Sequence, residues 1–459
     1  MFRKSIVSWP HWAFFLFLAG LSGIYIWNVV QYNVWWSYDG GAHIDYITRL
    51  SKGLGLPDKE SNYLAWHEPL YYALSAVVAK TAMYFGPGDK TIWKILQFVN
   101  TFWAFLFVFC SAVLAKIIAK SKIIAFFVLV FTGSLFSVST LARYHTNETM
   151  FHALMMFWLV LFYRWGMQNA QNWNTKKWTV LSLGLVILVW IKLTAFVLVF
   201  ALLLWFLYLS FLEKKFRPIL LALLIVLSIG IGYTPWLIHK QRMYRSAFTI
   251  NSYETDKTSK HVSAMPLGFY LSFDKSILEN PFWVSGRGSF WSMFFASAFV
   301  DYDNIFQNLD AHDALPVNEK YITGSARYIS VDYTAKTLLF FWFSLPMLVI
   351  LSLGFVLFVY KKIIYEKFKD YGSVFLATLA GGLLLSLMYN VYRYPFLERG
   401  TLKAIFIISF FPLLSIVSMM GWDFILERFP RCHRICTLSF GSYVFVWSVL
   451  GFSLMILPV

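Results

Sequence analysis

Long apolar segments separated by short polar stretches run through almost the whole chain of 459 residues. Segments of spanning length lie at 12–30, 93–115, 123–142, 148–165, 178–194, 195–212, 218–237, 337–360, 371–391, 401–422 and 438–457. Because about 20 apolar residues cross a bilayer as a helix, the pattern predicts an all-α polytopic membrane protein with about eleven transmembrane helices. The apolar run within 67–85 is too short to span, and it favours a helix that lies at the membrane interface.

The spacing of these segments divides the chain into three regions. A transmembrane module covers 1–237 and includes a first outer loop, 31–92, with its juxtamembrane helices. A long outer loop, 238–336, separates the seventh span from the eighth, and 337–459 holds the C-terminal transmembrane helices. Loops of this length are usually functional or form small domains. We therefore expect the long loop, which contains Trp283 and Trp291, to act as a lid or as an acceptor-recognition surface with aromatic residues for sugar stacking.

Composition supports the membrane assignment and excludes other classes of protein. The chain is 59% hydrophobic and 14% charged, whereas soluble domains carry about 25% charged residues. Its net charge is +16, but the basic residues form short clusters between apolar segments, which indicates membrane orientation and not nucleic-acid binding. Three cysteines cannot make a disulfide framework.

The basic clusters predict the orientation, because cytoplasmic loops are enriched in Lys and Arg. With eleven spans and a cytoplasmic N-terminus, the clusters that fall inside are Arg3/Lys4, Lys116/Lys120/Lys122, Arg164/Lys176/Lys177, Lys214/Lys215/Arg217, Lys361/Lys362/Lys367/Lys369 and Arg428/Arg431/Arg434. A spanning helix at 67–85 would move every later cluster outside. The charge pattern therefore favours eleven spans with the C-terminus outside.

Ionisable residues follow the first span at Asp39, His43 and Asp45. Such groups beside a bilayer are costly and are functional candidates by default. Asp39 precedes an expected helix at 42–52, where it can act as an N-cap or as a general base that takes a proton from a hydroxyl acceptor. His43 and Asp45 lie on different faces of that helix, so they form no obvious metal pair.

Two further turns on the predicted outer side carry polar groups. The turn Arg143–Glu148 contains Arg143, His145 and Glu148. A carboxylate in a first helical turn is favourable in any protein, but Glu148 is also a candidate second site carboxylate. Lys192 lies between two apolar spans and either snorkels to the interface or holds the phosphate of a lipid.

Basic residues also follow the seventh predicted span and precede the tenth. Arg242 and Arg399 either anchor the chain at the interface or bind the anionic part of a lipid carrier. The run Asp301–Asp303 has the residue types of a cation site without a fixed spacing, so the sequence assigns no certain cofactor and leaves a divalent cation undecided. The sequence has no Gly-rich phosphate loop, zinc motif, nucleotide fingerprint or Ser-His-Asp signature, which argues against a soluble nucleotide-sugar enzyme.

Taken together, these motifs resemble the membrane glycosyltransferases of the GT-C class, in particular the protein O-mannosyltransferase-like and aminoarabinose-transferase-like enzymes. The resemblance covers the first 245 residues and includes the Asp39–His43 motif and the segment His67–Tyr72, which is similar to "HPPLYY". It implies a GT-C-type bundle in a bacterial or archaeal plasma membrane. It also implies inverting transfer of a sugar from a polyprenyl-phosphate carrier to a lipid, glycan or protein acceptor on the outer face.

The resemblance implies roles for individual residues. Asp39 matches the catalytic carboxylate of the first loop, Glu148 the acid of the second loop and Lys192 the lysine of the carrier-phosphate site. Arg242 and Arg399 are expected beside that phosphate. The residues expected to bind acceptor and sugar are His43, His67, Glu68, Arg143, His145 and Glu148.

The chain departs from the family pattern at three places. Gly40 follows Asp39, where relatives commonly have Glu. Glu68 replaces the first proline of the "HPPLYY" segment. Arg399 lacks the tyrosine of the usual Gly-Arg-Tyr.

A polytopic transporter or lipid flippase is the alternative function. It would need polar residues at mid-membrane depth, discontinuous helices and internal repeats, and the sequence shows no repeat between its halves. A scaffold protein would leave the polar turns scattered. In the predicted topology the ionisable residues instead cluster at one membrane surface, which favours an enzyme.

Overall fold

The protein is built from helices, with no strand in the part of the chain that the structure describes. The computed structural model describes residues 11–35, 37, 39–86, 88–165, 167, 174–247, 265–282, 288–302, 331–366, 370–394 and 402–456. The helices are α1 (His11–Gln31), α2 (Gly40–Ser51), α3 (Leu70–Tyr84), α4 (Asp89–Ala119), α5 (Lys122–Gly133), α6 (Phe136–Arg143), α7 (Asn147–Arg164), α8 (Thr175–Ile191), α9 (Ala195–Glu213), α10 (Arg217–Tyr244), α11 (Leu267–Leu271), α12 (Phe290–Phe299), α13 (Val331–Tyr360), α14 (Tyr371–Arg393), α15 (Phe410–Leu426) and α16 (Pro430–Met455). The predicted all-α class is confirmed for these residues.

Among the described helices, seven are long and apolar enough to cross a membrane: α1, α4, α9, α10, α13, α14 and α16. The bent pair α5 and α6 adds an eighth if it counts as one span. The protein is therefore an integral, multi-pass α-helical membrane protein. The predicted count of eleven spans is not confirmed. The helices α7, α8 and α15 coincide with predicted segments, but none of them is both long enough and apolar enough to count as a span.

Local sequence explains why two of these helices, α7 and α15, fall short. The first two turns of α7 contain Asn147, Glu148 and His152, so its N-terminal part is polar. The segment predicted at 401–422 breaks into a 3₁₀ helix at Ala404–Ile407 and then α15. The polar start of α7 and this break lie close together, since His152 contacts both pieces of the broken segment.

The predicted span at 123–142 is divided into α5 and α6, which meet at an angle of 59°. The break follows the pair Gly133-Ser134, a combination that commonly allows helices to kink. A Cβ atom at Gly133 would lie 3.0 Å from side-chain atoms of Leu21 and Phe17, so glycine also lets α1 approach closely. The bend directs α6 and its terminal Arg143 into the protein interior.

The first loop forms a helical layer from α2 and α3. The 15 residues of α3 are too few to cross a bilayer, in agreement with the predicted interfacial segment. One face of α3 is buried through Tyr71, Tyr72, Ala76 and Ala79. Residues on its other face and at its end are exposed, with Tyr84 88% accessible.

The described part of the long loop is not a separate lid. Every residue of α12 except Trp291 is buried. Its rings pack into the bundle, with Phe294 stacked on Phe411 at 5.5 Å and Phe295 against Phe341 at 5.0 Å between ring centroids. Trp283, one of the expected sugar-stacking aromatics, lies outside the described residues.

Two glycines allow α13 and α15 to approach closely. A Cβ atom at Gly421 would lie 2.0 Å from the Gly354 carbonyl oxygen, and one at Gly354 would lie 2.5 Å from the Ser418 carbonyl oxygen. No side chain fits at these distances, so the two backbones are in direct contact. Small residues at such contacts are typical of helix packing in membranes.

We expect Gly421→Ala to destabilise the protein by about 1–3 kcal/mol, because the new methyl group must push α13 and α15 apart. Gly381→Ala is the matched control, since a Cβ atom there meets nothing within 4 Å. Thermal unfolding in detergent, followed by fluorescence-detected size-exclusion chromatography, measures both. Equal stability of the two variants would contradict the close contact.

Candidate functional site

Asp39 stands at the start of α2 in the left-handed backbone conformation, with φ 53° and ψ 21°. Its side chain makes no capping hydrogen bond to α2. The Tyr63 hydroxyl instead donates to its Oδ1 at 2.8 Å. Of the two roles predicted for Asp39, side-chain capping is therefore not observed, and its exposed carboxylate is accessible to a ligand.

Asp45 and His43 contact different side chains, as expected from their positions on different faces of α2. Its Oδ2 accepts a hydrogen bond from Asn62 Nδ2 at 2.8 Å, and the same nitrogen donates to the Ala42 carbonyl at 2.8 Å. These bonds tie the loop after α2 back onto that helix. Asp45 thus holds the loop that presents Tyr63 to Asp39.

Tyr72 joins two histidines beneath Asp39. Its hydroxyl lies 2.9 Å from His43 Nδ1 and 3.1 Å from His67 Nδ1. A hydroxyl has one hydrogen to donate, so at least one of these imidazoles carries its proton on Nδ1. His67 Nδ1 also lies 3.5 Å from Asn147 Nδ2, which connects the first loop to the start of α7.

The site histidines outside the spanning helices are neutral at pH 7. Burial is the largest cause in each case: it lowers the pKa of His43 to about 4 and the pKa of His145 to about 3. Burial, together with the positive charge of Lys192, lowers the pKa of His67 well below its ordinary value. As neutral groups, these imidazoles do not supply positive charge to an anion.

Glu148 and Lys192 form a buried ion pair between Lys192 Nζ and Glu148 Oε1. Glu148 lies in the first turn of α7, and Lys192 follows α8 in an extended conformation. The Lys192 ammonium also lies 5.2 Å from the Phe406 ring centroid. The side chain of Lys192 is 14% exposed and that of Glu148 5%, so a ligand would reach the pair from the lysine side.

His152, which sequence reasoning missed, lies one turn deeper in α7. Its Nε2 is 3.6 Å from Glu148 Oε2 and 3.2 Å from the Ile405 carbonyl oxygen. Its Nδ1 lies 2.9 Å from Ser409 Oγ. The position four residues after Glu148 places both side chains on one helix face, and this spacing was the available sequence signal.

Glu68, predicted to bind acceptor or sugar, lies in a second buried ion pair. Its Oε1 is 3.1 Å from Lys240 Nζ and accepts a hydrogen bond from the Tyr233 hydroxyl at 2.8 Å. Both charged side chains are 2% exposed. The basic residue of α10 that meets the first loop is therefore Lys240, whereas the predicted Arg242 is exposed. Lys240 follows Tyr233 by seven residues, the spacing of one helix face.

Arg143 and His145 are buried on either side of Tyr144. The Arg143 guanidinium lies 4.7 Å from the Tyr32 ring centroid and 5.9 Å from that of Tyr144. The His145 ring packs against Trp93 at 5.8 Å between centroids. Both side chains are 0% exposed, so they shape the turn that carries Glu148 and do not face solvent.

Arg399 and Asp303 lie outside the described residues. Within the described residues, no group of three His, Cys, Asp or Glu side chains could hold a metal ion.

No protein-family model matches the chain, and no curated protein matches it either. The resemblance to GT-C glycosyltransferases stays a prediction that rests on the residues quoted for it. The geometry of the cluster is the independent evidence on what the site can do.

We expect Glu68→Gln to destabilise the protein by about 3–5 kcal/mol, because it leaves the Lys240 charge buried without its carboxylate. The double variant Glu68→Gln/Lys240→Met removes both charges and should recover much of that loss. Thermal unfolding in detergent compares the two variants with the unmodified protein. A double variant no more stable than Glu68→Gln would contradict the importance of the ion pair.

Proposed function

We propose that the protein is an inverting glycosyltransferase that moves a sugar from a polyprenyl-phosphate carrier to a hydroxyl acceptor on the extracytoplasmic face of the membrane. One observation carries this proposal: an accessible carboxylate and a partly accessible ammonium share one polar cluster. The buried His43 ring lies within electrostatic reach of Asp39, Glu148 and Lys192. These residues come from three distant parts of the chain.

Asp39 is the proposed general base. Its carboxylate is exposed and accepts a hydrogen bond from the Tyr63 hydroxyl at Oδ1, so an acceptor can approach the other carboxylate oxygen. As the acceptor oxygen bonds to the anomeric carbon, its proton passes to Asp39. The bond between that carbon and the phosphate oxygen breaks at the opposite side, which inverts the configuration.

Lys192 is the proposed partner of the leaving phosphate. Stabilising the charge that develops on a leaving group lowers the reaction barrier without an acid catalyst. Among the described residues, Lys192 pairs with Glu148 and Lys240 pairs with Glu68. The Lys192 side chain is partly exposed, whereas that of Lys240 is only 2% exposed. Arg242, exposed near the end of α10, and Arg399 are proposed to lie beside the carrier. His43 and His67 are proposed as neutral groups that orient acceptor and sugar, whereas the fully buried His145 shapes the turn before α7.

The proposal requires the cluster to face the outside. We propose eleven spans, in which the pair α5–α6 and the helices α7, α8 and α15 cross the membrane together with the seven long helices. The N-terminus then lies in the cytoplasm, as the basic clusters indicate. Asp39, the turn before α7 and Lys192 all fall on the opposite side.

A lipid flippase or transporter remains the second candidate, and the division of α5 from α6 favours it. Discontinuous helices are typical of transporters, in which they form substrate sites near the midplane of the membrane. The 59° bend brings Arg143 into the interior. Arg143, however, is fully buried against Tyr32 and Tyr144, which gives a substrate no route to it.

We expect Asp39→Asn to lower sugar transfer by about a hundredfold to ten-thousandfold, because the amide cannot accept the acceptor proton. Asn tolerates the left-handed backbone, so the fold should persist. Asp332→Asn is the matched control, since Asp332 is exposed and pairs with Lys336 one turn away in α13. Transfer from a polyprenyl-phosphate sugar in proteoliposomes measures both, and near-normal transfer by folded Asp39→Asn would falsify the assigned role.

The proposed topology is tested by cysteine labelling in a background without Cys110, Cys432 and Cys436. Ser61 and Lys176 are both exposed and lie on opposite sides in the eleven-span arrangement. We expect Ser61→Cys to react with a membrane-impermeant maleimide in intact cells and Lys176→Cys to react after permeabilisation. Labelling of Lys176→Cys from outside would contradict both the orientation and the outward-facing cluster.

A further inference from the structure

The ion pair of Lys192 raises a problem for any anion that binds there. Glu148 already compensates the lysine charge inside the protein. An incoming phosphate would compete with this carboxylate, and two negative groups around one ammonium repel each other strongly at low polarity. Phosphate binding therefore needs a second positive charge for Glu148.

His152 is the group positioned to supply that charge. Its Nε2 lies 3.6 Å from Glu148 Oε2, whereas Lys192 hydrogen-bonds Glu148 Oε1. The imidazole is 1% exposed. While Lys192 pairs with Glu148, a charged His152 would add an uncompensated buried cation, so the neutral form is favoured. When a phosphate occupies Lys192, the same argument favours the protonated form.

The surroundings of His152 accommodate both forms without rearrangement. Nε2 faces only acceptors, the Ile405 carbonyl and the Glu148 carboxylate, so it carries a hydrogen in either form. Nδ1 faces the Ser409 hydroxyl at 2.9 Å. A hydroxyl can donate to the neutral ring and accept from the protonated ring by rotation alone. Ser409 is itself buried, so its hydroxyl is held against the ring.

The charged groups around His152 are few. From its own helix it meets Glu148, and from the end of α8 it lies within electrostatic reach of Lys192. The 3₁₀ helix before α15 offers the Ile405 carbonyl, and α4 offers the Phe107 ring at 6.3 Å between centroids. A cavity of about 10 Å³, lined mostly by apolar side chains, borders the imidazole. No other charged group of the described residues competes in these contacts.

We propose that His152 is a positioning residue that couples anion binding to proton uptake: a phosphate at Lys192 draws the ammonium from Glu148, and the Glu148–His152 pair takes up one proton. This inference rests on the proposed function, since the anion is the carrier phosphate. Because binding consumes a proton, affinity strengthens as pH falls and weakens as pH rises, by up to about tenfold per pH unit. The proton belongs to the pair and not to one residue alone.

The probe is a synthetic polyprenyl methyl phosphate, a diester without a sugar whose own charge does not change near neutral pH. It is titrated by calorimetry into the full-length protein in lipid nanodiscs, in two buffers with different ionisation enthalpies. The difference between the buffers gives the number of protons taken up. We expect about one proton per bound diester in the unmodified protein.

Three variants identify where the proton goes. His152→Asn should bind the diester with almost no proton uptake. Glu148→Gln removes the competing carboxylate, so it should bind more tightly and without uptake. His239→Gln is the matched control, because it removes an imidazole that stacks on Trp236 outside this cluster and should keep the uptake of about one proton. If His152→Asn fails to fold, Ser409→Ala keeps the imidazole and removes the acceptor of its second hydrogen, which should reduce the uptake.

The outcomes separate this inference from the proposed function. Diester binding without proton uptake by the unmodified protein overturns the coupling and leaves the glycosyltransferase proposal intact. Full uptake in a folded His152→Asn variant overturns the role of His152. Absence of diester binding, with or without protons, overturns the carrier-phosphate site and therefore the proposed function itself.

Discussion

The ion pair between Glu148 and Lys192 is the interaction on which the arrangement of the site depends. Both charges lie where water is largely excluded, and each is tolerated there because the other compensates it. The pair fixes the end of α8 against the start of α7. Asn147, the neighbour of Glu148, adds a hydrogen bond to the Ile191 carbonyl at 3.1 Å. Two helix ends are thereby held at one point beneath the first loop.

A second buried ion pair attaches the first loop to α10. Glu68 bonds Lys240 and Tyr233 of α10, and its neighbour His67 bonds Tyr72. The buried carboxylates Glu148 and Glu68 are thus each neutralised by a lysine, while the histidines between them stay neutral. Asp39 differs from these groups because it is exposed and faces a hydroxyl. This contrast separates a carboxylate available for chemistry from carboxylates that hold the structure together.

Sequence reasoning predicted the helices and the ionisable candidate residues, because the length of an apolar segment and the charges at helix ends are local properties. It found Asp39, Glu148 and Lys192 in this way. It could not pair Glu148 with Lys192 or Glu68 with Lys240, since those contacts join residues 44 and 172 positions apart. It overlooked His152 and Lys240 because each has other polar residues nearby in its helix, and only the spacing from Glu148 and Tyr233 distinguishes it. It also missed the bend after Gly133, for which the pair Gly133-Ser134 was the only signal.

The separation of Glu68 from Lys240 also bears on biosynthesis. The chain is made from its N-terminus, so Glu68 leaves the ribosome long before Lys240, which lies 172 residues later. An ionised carboxylate without a counter-ion is costly to bury, so the first loop cannot pack stably against the helices until α10 has been inserted. The site is therefore completed late in membrane insertion, and a chain truncated before α10 would retain α2 and α3 with Glu68 still in contact with water.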